Sequence, residues 1–204
     1  MNAPPSNCVI QGHDKFVTIW RSFEEDVQRY LTKSPENQAA GDTLKSRLGA
    51  FLTPNLQALL IYRASHYLGT NGWRRLALLL SLFNLLLDKV SIPPQSCIGP
   101  GCFLPHPAGV TFCGTAGRGL TLYSLSVCCP VEGPVGNPVE FGPRLGDRVT
   151  VGAHAVLLGP ITVGNDTKVA FGLRLDRDAP QGVLVISTVL RVTLHGRSGE
   201  IPER

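Results

Sequence analysis

The sequence predicts an α+β chain, a helical N-terminal region followed by a left-handed parallel β-helix of hexapeptide repeats. Three observations carry that expectation. Apolar anchors recur every six residues at Ile92, Ile98, Leu104, Val110, Ala116 and Leu122, and again at Leu145, Val151, Leu157, Val163, Val169 and Leu175. The residue four after each anchor is uncharged and mostly small: Ser96, Cys102, Ala108, Gly114, Leu120 and Ser126, then Val149, Ala155, Ile161, Thr167, Leu173 and Ala179. Glycine follows the anchor directly at Gly99, Gly117, Gly146, Gly152 and Gly164. A strict period of six suits neither the 3.6-residue turn of a helix nor the two-residue alternation of a strand. It suits a solenoid in which three flat strands make one triangular coil and each anchor stacks inside the prism on the next. Small residues and glycines admit the tight corners.

The elements ahead of the solenoid follow from ordinary helix signals. Trp20, Phe23, Val27, Tyr30 and Leu31 mark one face of a helix over residues 17–31, and residues 33–41 read as a polar connection. Thr53 and Pro54 suit an N-cap and first turn. Leu56, Leu59, Leu60, Ala64, Tyr67 and Leu68 then recur at helical spacing up to Gly69, a natural stop. A third helix, from about Trp73 to Leu87, is apolar nearly all round and is expected to be packed on several sides. The resulting division is a helical region over 1–90, a β-helix over 91–192 with an extruded Pro- and Gly-rich loop at about 130–143, and a tail over 193–204.

Composition narrows the function classes. At 204 residues the chain can bury a real core. With 22 glycines, 16 prolines and 17% charged residues, it is built for corners and is not low-complexity. The net charge is +4 without a long basic run, so no nucleic-acid partner is expected. The apolar stretch from Leu76 to Leu87 is too short for a membrane span, and no membrane partner is expected. The first residues lack a basic segment followed by an apolar one, so no leader peptide is expected and the location expected is cytoplasmic. The six cysteines form no C-x-x-C pair and have no histidine at zinc-finger spacing. Reduced, mostly buried thiols and no metal site are therefore expected.

Several stretches are similar to the serine acetyltransferase family of hexapeptide-repeat acyltransferases. Leu56-Gln57-Ala58-Leu59-Leu60-Ile61-Tyr62-Arg63-Ala64-Ser65-His66 resembles the helix preceding that family's β-helix. Ile98-Gly99-Pro100-Gly101-Cys102-Phe103-Leu104-Pro105-His106-Pro107-Ala108-Gly109-Val110 resembles its histidine-bearing coil, and Pro143 to Ala155 with Leu158-Gly159-Pro160 resembles its later coils. The resemblance covers roughly residues 20–192. It implies transfer of an acetyl or other acyl group from CoA to a hydroxyl or amine of a small-molecule acceptor. It further implies acetyl-CoA or another acyl-CoA as cosubstrate, no metal, and a homotrimer or dimer of trimers. By position it implies His106 as the general base, Ser91, Arg63 and Gly142 at the acceptor, and Gly152, Ala153, Ala170 and Arg191 at the cosubstrate.

The chain also departs from the family pattern. A carboxylate often precedes the histidine, and another lies about fifteen residues upstream; here those positions hold Pro105 and Ser91. An Arg-His-Pro step that touches substrate is replaced by Phe141-Gly142-Pro143, and a small-residue step reads Ala170-Phe171-Gly172. The loss of the arginine removes the natural partner of an amino-acid carboxylate, so an acceptor other than ordinary L-serine is expected. A second class of function stands beside acyl transfer: a non-acetylating β-helix that serves as a scaffold or has turned its cleft to other use.

Overall fold

The computed structural model describes Gly12 and residues 14–33, 53–131 and 138–186. Among the described residues three helices come first: α1 (Phe16–Lys33), α2 (Pro54–Thr70) and α3 (Arg74–Asp88). Twelve short strands follow, β1 (Cys97–Ile98), β2 (Thr111–Phe112), β3 (Thr115–Ala116), β4 (Thr121–Leu122), β5 (Val127–Cys129), β6 (Arg144–Leu145), β7 (Thr150–Val151), β8 (Val156–Leu158), β9 (Thr162–Val163), β10 (Lys168–Val169), β11 (Arg174–Leu175) and β12 (Leu184–Val185). They form three four-stranded parallel sheets: β1-β3-β6-β9, β2-β5-β8-β11 and β4-β7-β10-β12. Strands three apart pair, except β1-β3 and β10-β12, where a single bridge at Phe103 or Ala179 stands in for the missing strand, and this is the topology of a triangular coil.

The anchors do what their spacing predicts. Ile98, Ala116, Leu145 and Val163 stack in the first sheet, and Leu122, Val151 and Val169 in another. Phe112, Cys128, Leu157 and Leu175 stack in the third. Each is buried, and the stacks merge into one core with Leu56, Leu59 and Tyr62 of α2. Burying each large apolar side chain of this kind contributes about 1.5–3 kcal/mol.

One anchor differs from the six-residue beat. Phe112, not Val110, occupies the inward position of the third sheet, because Ser91 pairs with Thr111 and Thr111 with Val127. Twenty residues thus separate Ser91 from its partner, and only sixteen separate Thr111 from its own. Phe103 still pairs with Thr121 at the regular eighteen. The extra two residues therefore lie between Phe103 and Thr111, in the stretch holding His106. The compensating deletion falls at the next corner, Cys113-Gly114, where β2 runs almost directly into β3.

The helices need further corrections. The α2 helix runs through Gly69 to Thr70, and Gly72, with φ +85°, provides the left-handed exit. At Gly69 an added Cβ would stand 3.2 Å from the Pro94 side chain, so close packing explains that glycine. Thr53 occupies the N-cap of α2 without a side-chain capping bond. The α3 helix is not enclosed as its composition suggested. Only Ala77, Asn84 and Asp88 are buried, while Leu79 and Leu86 are 62% and 63% exposed. The connection over 34–41, most of the extruded loop (132–137), Arg191 and the tail lie outside the described residues.

Candidate active site

Strand pairing fixes which side chains share a corner. Leu122 pairs with Val151, and Val151 with Val169. Extending that register one and two residues makes two columns that climb the corner between the sheets of β4 and β2. Tyr123, Gly152 and Ala170 form one, and Ser124, Ala153 and Phe171 the other; in the lowest coil Ala108 stands in rung with Ser124, and His106 lies just before it, on the insertion. Backbone bonds tie the rungs: Leu125 N donates to Ala108 O (3.1 Å), His154 N to Ser124 O (3.1 Å) and Gly172 N to Ala153 O (2.9 Å). The residues turning this corner, Lys89, Gly109, Leu125, His154 and Gly172, all adopt positive φ between 58° and 76°. His106, Gly152, Ala153 and Ala170 are therefore brought together on one edge. With coils about 4.8 Å apart, Phe171 stands roughly 14 Å above Ala108, the residue two after His106.

His106 is exposed, on the two-residue insertion described above. Its loop is braced from below, where Asn55 Nδ2 donates to Pro105 O (3.0 Å) and Gly109 N to Lys89 O (2.9 Å). Pro107 is buried and fixes the base of the bulge while the imidazole stands clear. Ser91 sits at the foot of this corner, its N–H donating to Val110 O (2.9 Å) and its carbonyl accepting from Phe112 N (3.0 Å). Depressions lie along α1 and at another corner, beside Arg118 and Arg148.

Two expected acceptor residues are placed apart from it. Arg63 is 1% exposed, and its guanidinium is spent on Asp26 (3.0 Å), on Gly99 O (2.8 Å) and on Ile98 O. As a correction, Arg63 belongs to the interior, where its guanidinium is buried against Asp26 and two carbonyls of the first coil. Gly142 lies at the corner between the sheets of β2 and β1, across a whole face from His106 within one chain. There an added Cβ would stand 2.0 Å from Cys113 O, so the bare backbone at 142 is what lets the loop re-enter over the shortened corner. Gly152 has a similar packing reason, since its Cβ would fall 2.7 Å from Phe171 N.

The ledge above His106 suits an extended ligand. An added Cβ at Gly172 would meet nothing within 4 Å, and Phe171 is 70% exposed with its ring edge-on to Tyr123 (5.7 Å). The sequence reading did not nominate Tyr123 or His154, which share this corner. Their signal is the strand register, which no motif in the sequence marks. The cysteines are poor nucleophiles: burial pushes the Cys102 thiol up to about 12 and the Cys113 thiol up to about 11. Cys97 is disulfide-bonded, which corrects the expectation of reduced thiols throughout. No His, Cys, Asp and Glu cluster fit for a metal occurs among the described residues.

No family model matches the chain. Known sequences do. A serine acetyltransferase of Mycobacterium tuberculosis is 33% identical over 138 residues, which are 67% of this chain and 59% of that protein. One of Helicobacter pylori is 33% identical over 167 residues, 79% of this chain and 91% of that one. Among solved structures, a serine acetyltransferase of Neisseria gonorrhoeae superposes with a TM-score of 0.74 at 24% identity, covering 85% of this chain and 65% of that one. Isoform 3 of Entamoeba histolytica, in complex with cysteine, gives 0.73 at 23% identity, covering 89% and 63%. The structural likeness carries the fold, and the sequence relatives carry the kinship.

Proposed function

The chain belongs to the serine acetyltransferase family, and from that premise we propose that it transfers an acetyl group from acetyl-CoA to a hydroxyl of a small-molecule acceptor, with His106 as general base. The observation that carries the reading is the shared corner of His106, Ala153 and Ala170 under an open ledge. His106 takes the hydroxyl proton as the oxygen attacks the thioester carbonyl. The new C–O bond forms, the C–S bond breaks, and the proton passes to the departing thiolate of CoA. A histidine suits both steps because its pKa lies near working pH. The exposure of His106 at a corner of the coil supports a homotrimer, in which a neighbouring chain supplies the other wall of the cleft.

The acceptor follows from what lines that wall. L-serine is the first candidate, from the names of the relatives. A different hydroxyl acceptor is favoured by one observation: Phe141-Gly142-Pro143 offers no cation to an amino-acid carboxylate. The deciding assay is CoA release by His106→Ala and wild type, with L-serine and with hydroxyl acceptors lacking a carboxylate. Loss of the general base is expected to lower kcat by about a hundredfold to ten-thousandfold with unchanged melting. Full activity in the variant would remove His106 from the mechanism. No thermal stabilisation of wild type by any acyl-CoA would favour a non-acetylating scaffold instead.

A further inference from the structure

We infer that the exposed face of α3 docks onto the surface of an anionic phospholipid bilayer. The helix is fixed to the protein by a narrow stripe: Ala77, Asn84 and Asp88 are buried, and Asn84 Nδ2 donates to Ala58 O of α2 (3.0 Å). Around the rest of its circumference Leu78, Leu79, Leu82, Phe83, Leu85 and Leu86 are 43–63% exposed. At 1.5 Å per residue these 15 residues form a ridge about 22 Å long, a larger continuous apolar patch than monomers leave in water. No helix among the described residues is long and apolar enough to cross a membrane, so a helix lying in the interface is the geometry that fits.

Charge selects the occupant. Trp73, 65% exposed, and the exposed Arg74 and Arg75 begin the ridge. Lys89, exposed, ends it with its ammonium on Leu86 O (3.0 Å). The one acid in the segment, Asp88, is buried. Two copies pairing along α3 would set Arg against Arg if parallel and Arg against Lys if antiparallel, with no exposed acid on either ridge to answer. Nor does another described face match its length, since the other large exposed apolar side chains form smaller groups: Phe16, Val17 and Trp20 at the start of α1, Leu125 and Phe171 along one corner, and Leu184 and Ile186 at the last coil. An acyl layer closes round a ridge on three sides, and anionic headgroups answer cations at both ends, with an aromatic ring at headgroup depth. Docking in this way would hold the His106 corner near the lipid, since Lys89, one residue past the helix, bonds to Gly109.

The test is sedimentation of the full chain with vesicles at about 0.1 M salt. Binding to phosphatidylcholine vesicles containing about one-third phosphatidylglycerol should exceed binding to pure phosphatidylcholine by about tenfold or more. Leu79→Glu with Leu86→Glu should abolish binding while circular dichroism and melting stay at wild-type values, since both side chains are exposed. Arg74→Gln with Arg75→Gln should erase most of the preference for anionic vesicles. Equal binding to both vesicles, or none to either, overturns the inference. In the second case, a particle mass that falls in the Leu79→Glu, Leu86→Glu variant would identify a second copy as the occupant.

Discussion

Arg63 and Asp26, 37 residues apart in sequence, meet at 3.0 Å beneath the first coil of the β-helix, with side chains 1% and 0% exposed. Asp26 Oδ1 also accepts from Cys102 N (2.6 Å), and Arg63 Nη2 donates to Gly99 O (2.8 Å). The pair thus joins α1 and α2 to the solenoid floor and satisfies carbonyls that have no coil below them. Breaking such a pair from one side leaves a buried charge unanswered and costs about 3–5 kcal/mol. Arg63→Ala should lower the unfolding free energy by that amount, read from urea titration. A variant of wild-type stability with a raised KM for the acceptor would return Arg63 to the substrate.

The repeat was legible because a solenoid writes its geometry as a period. Its break was not, for a physical reason. Two residues gained before Thr111 and two lost at Cys113-Gly114 leave Cys128 on the beat set by Ile92, so counting anchors passes over the bulge that displays His106. The seam of α2 escaped in another way. Apolar periodicity cannot see Tyr62, Arg63 and His66, polar side chains buried because carbonyls of the first coil need donors, as Tyr62 Oη donating to Ser96 O (2.9 Å) illustrates. The composition of α3 said that its surface would be covered and did not say by what.

Gly152 and Gly172 lie on the same corner and should respond differently to alanine. At 152 the new Cβ would meet Phe171 N at 2.7 Å, backbone that cannot step aside. At 172 it meets open space, and only the positive φ of 68° is strained. Gly152→Ala should cost about 1–3 kcal/mol by overpacking, and Gly172→Ala about 1–2 kcal/mol from backbone strain. Thermal melts together with acetyl-CoA KM separate the roles. Only at 172 should a change in KM exceed what the lost stability explains.

Phe171 rises from the ledge with its ring edge-on to Tyr123 and most of its surface in water. Removing it should leave folding within about 0.5 kcal/mol of wild type, as for other surface substitutions. If the cosubstrate lies along the ledge, Phe171→Ala should change the KM for acyl-CoA several-fold while kcat stays near wild type, the pattern of lost uniform binding. An unchanged KM for acetyl-CoA and for longer acyl-CoAs would place the cosubstrate off this corner.

Asp88 closes α3 one turn after Asn84, and its Oδ2 is buried without a hydrogen-bond partner among the described residues. Burial raises its carboxyl above the usual value of 3.8, with no cation to offset the cost. The sign follows directly. A carboxyl whose folded pKa exceeds its unfolded pKa binds its proton more tightly in the native state, so the ionised form is a penalty on folding. That penalty is full above the folded pKa and fades as pH falls through it toward 3.8. Asp88→Asn, which keeps the shape and removes the charge, should therefore melt higher than wild type at pH 7. The advantage should shrink as the pH approaches 4, measured by differential scanning calorimetry across that range. A variant that melts lower than wild type at pH 7 would mean that the ionised carboxylate has a partner in the assembled protein, such as a cation of a neighbouring chain.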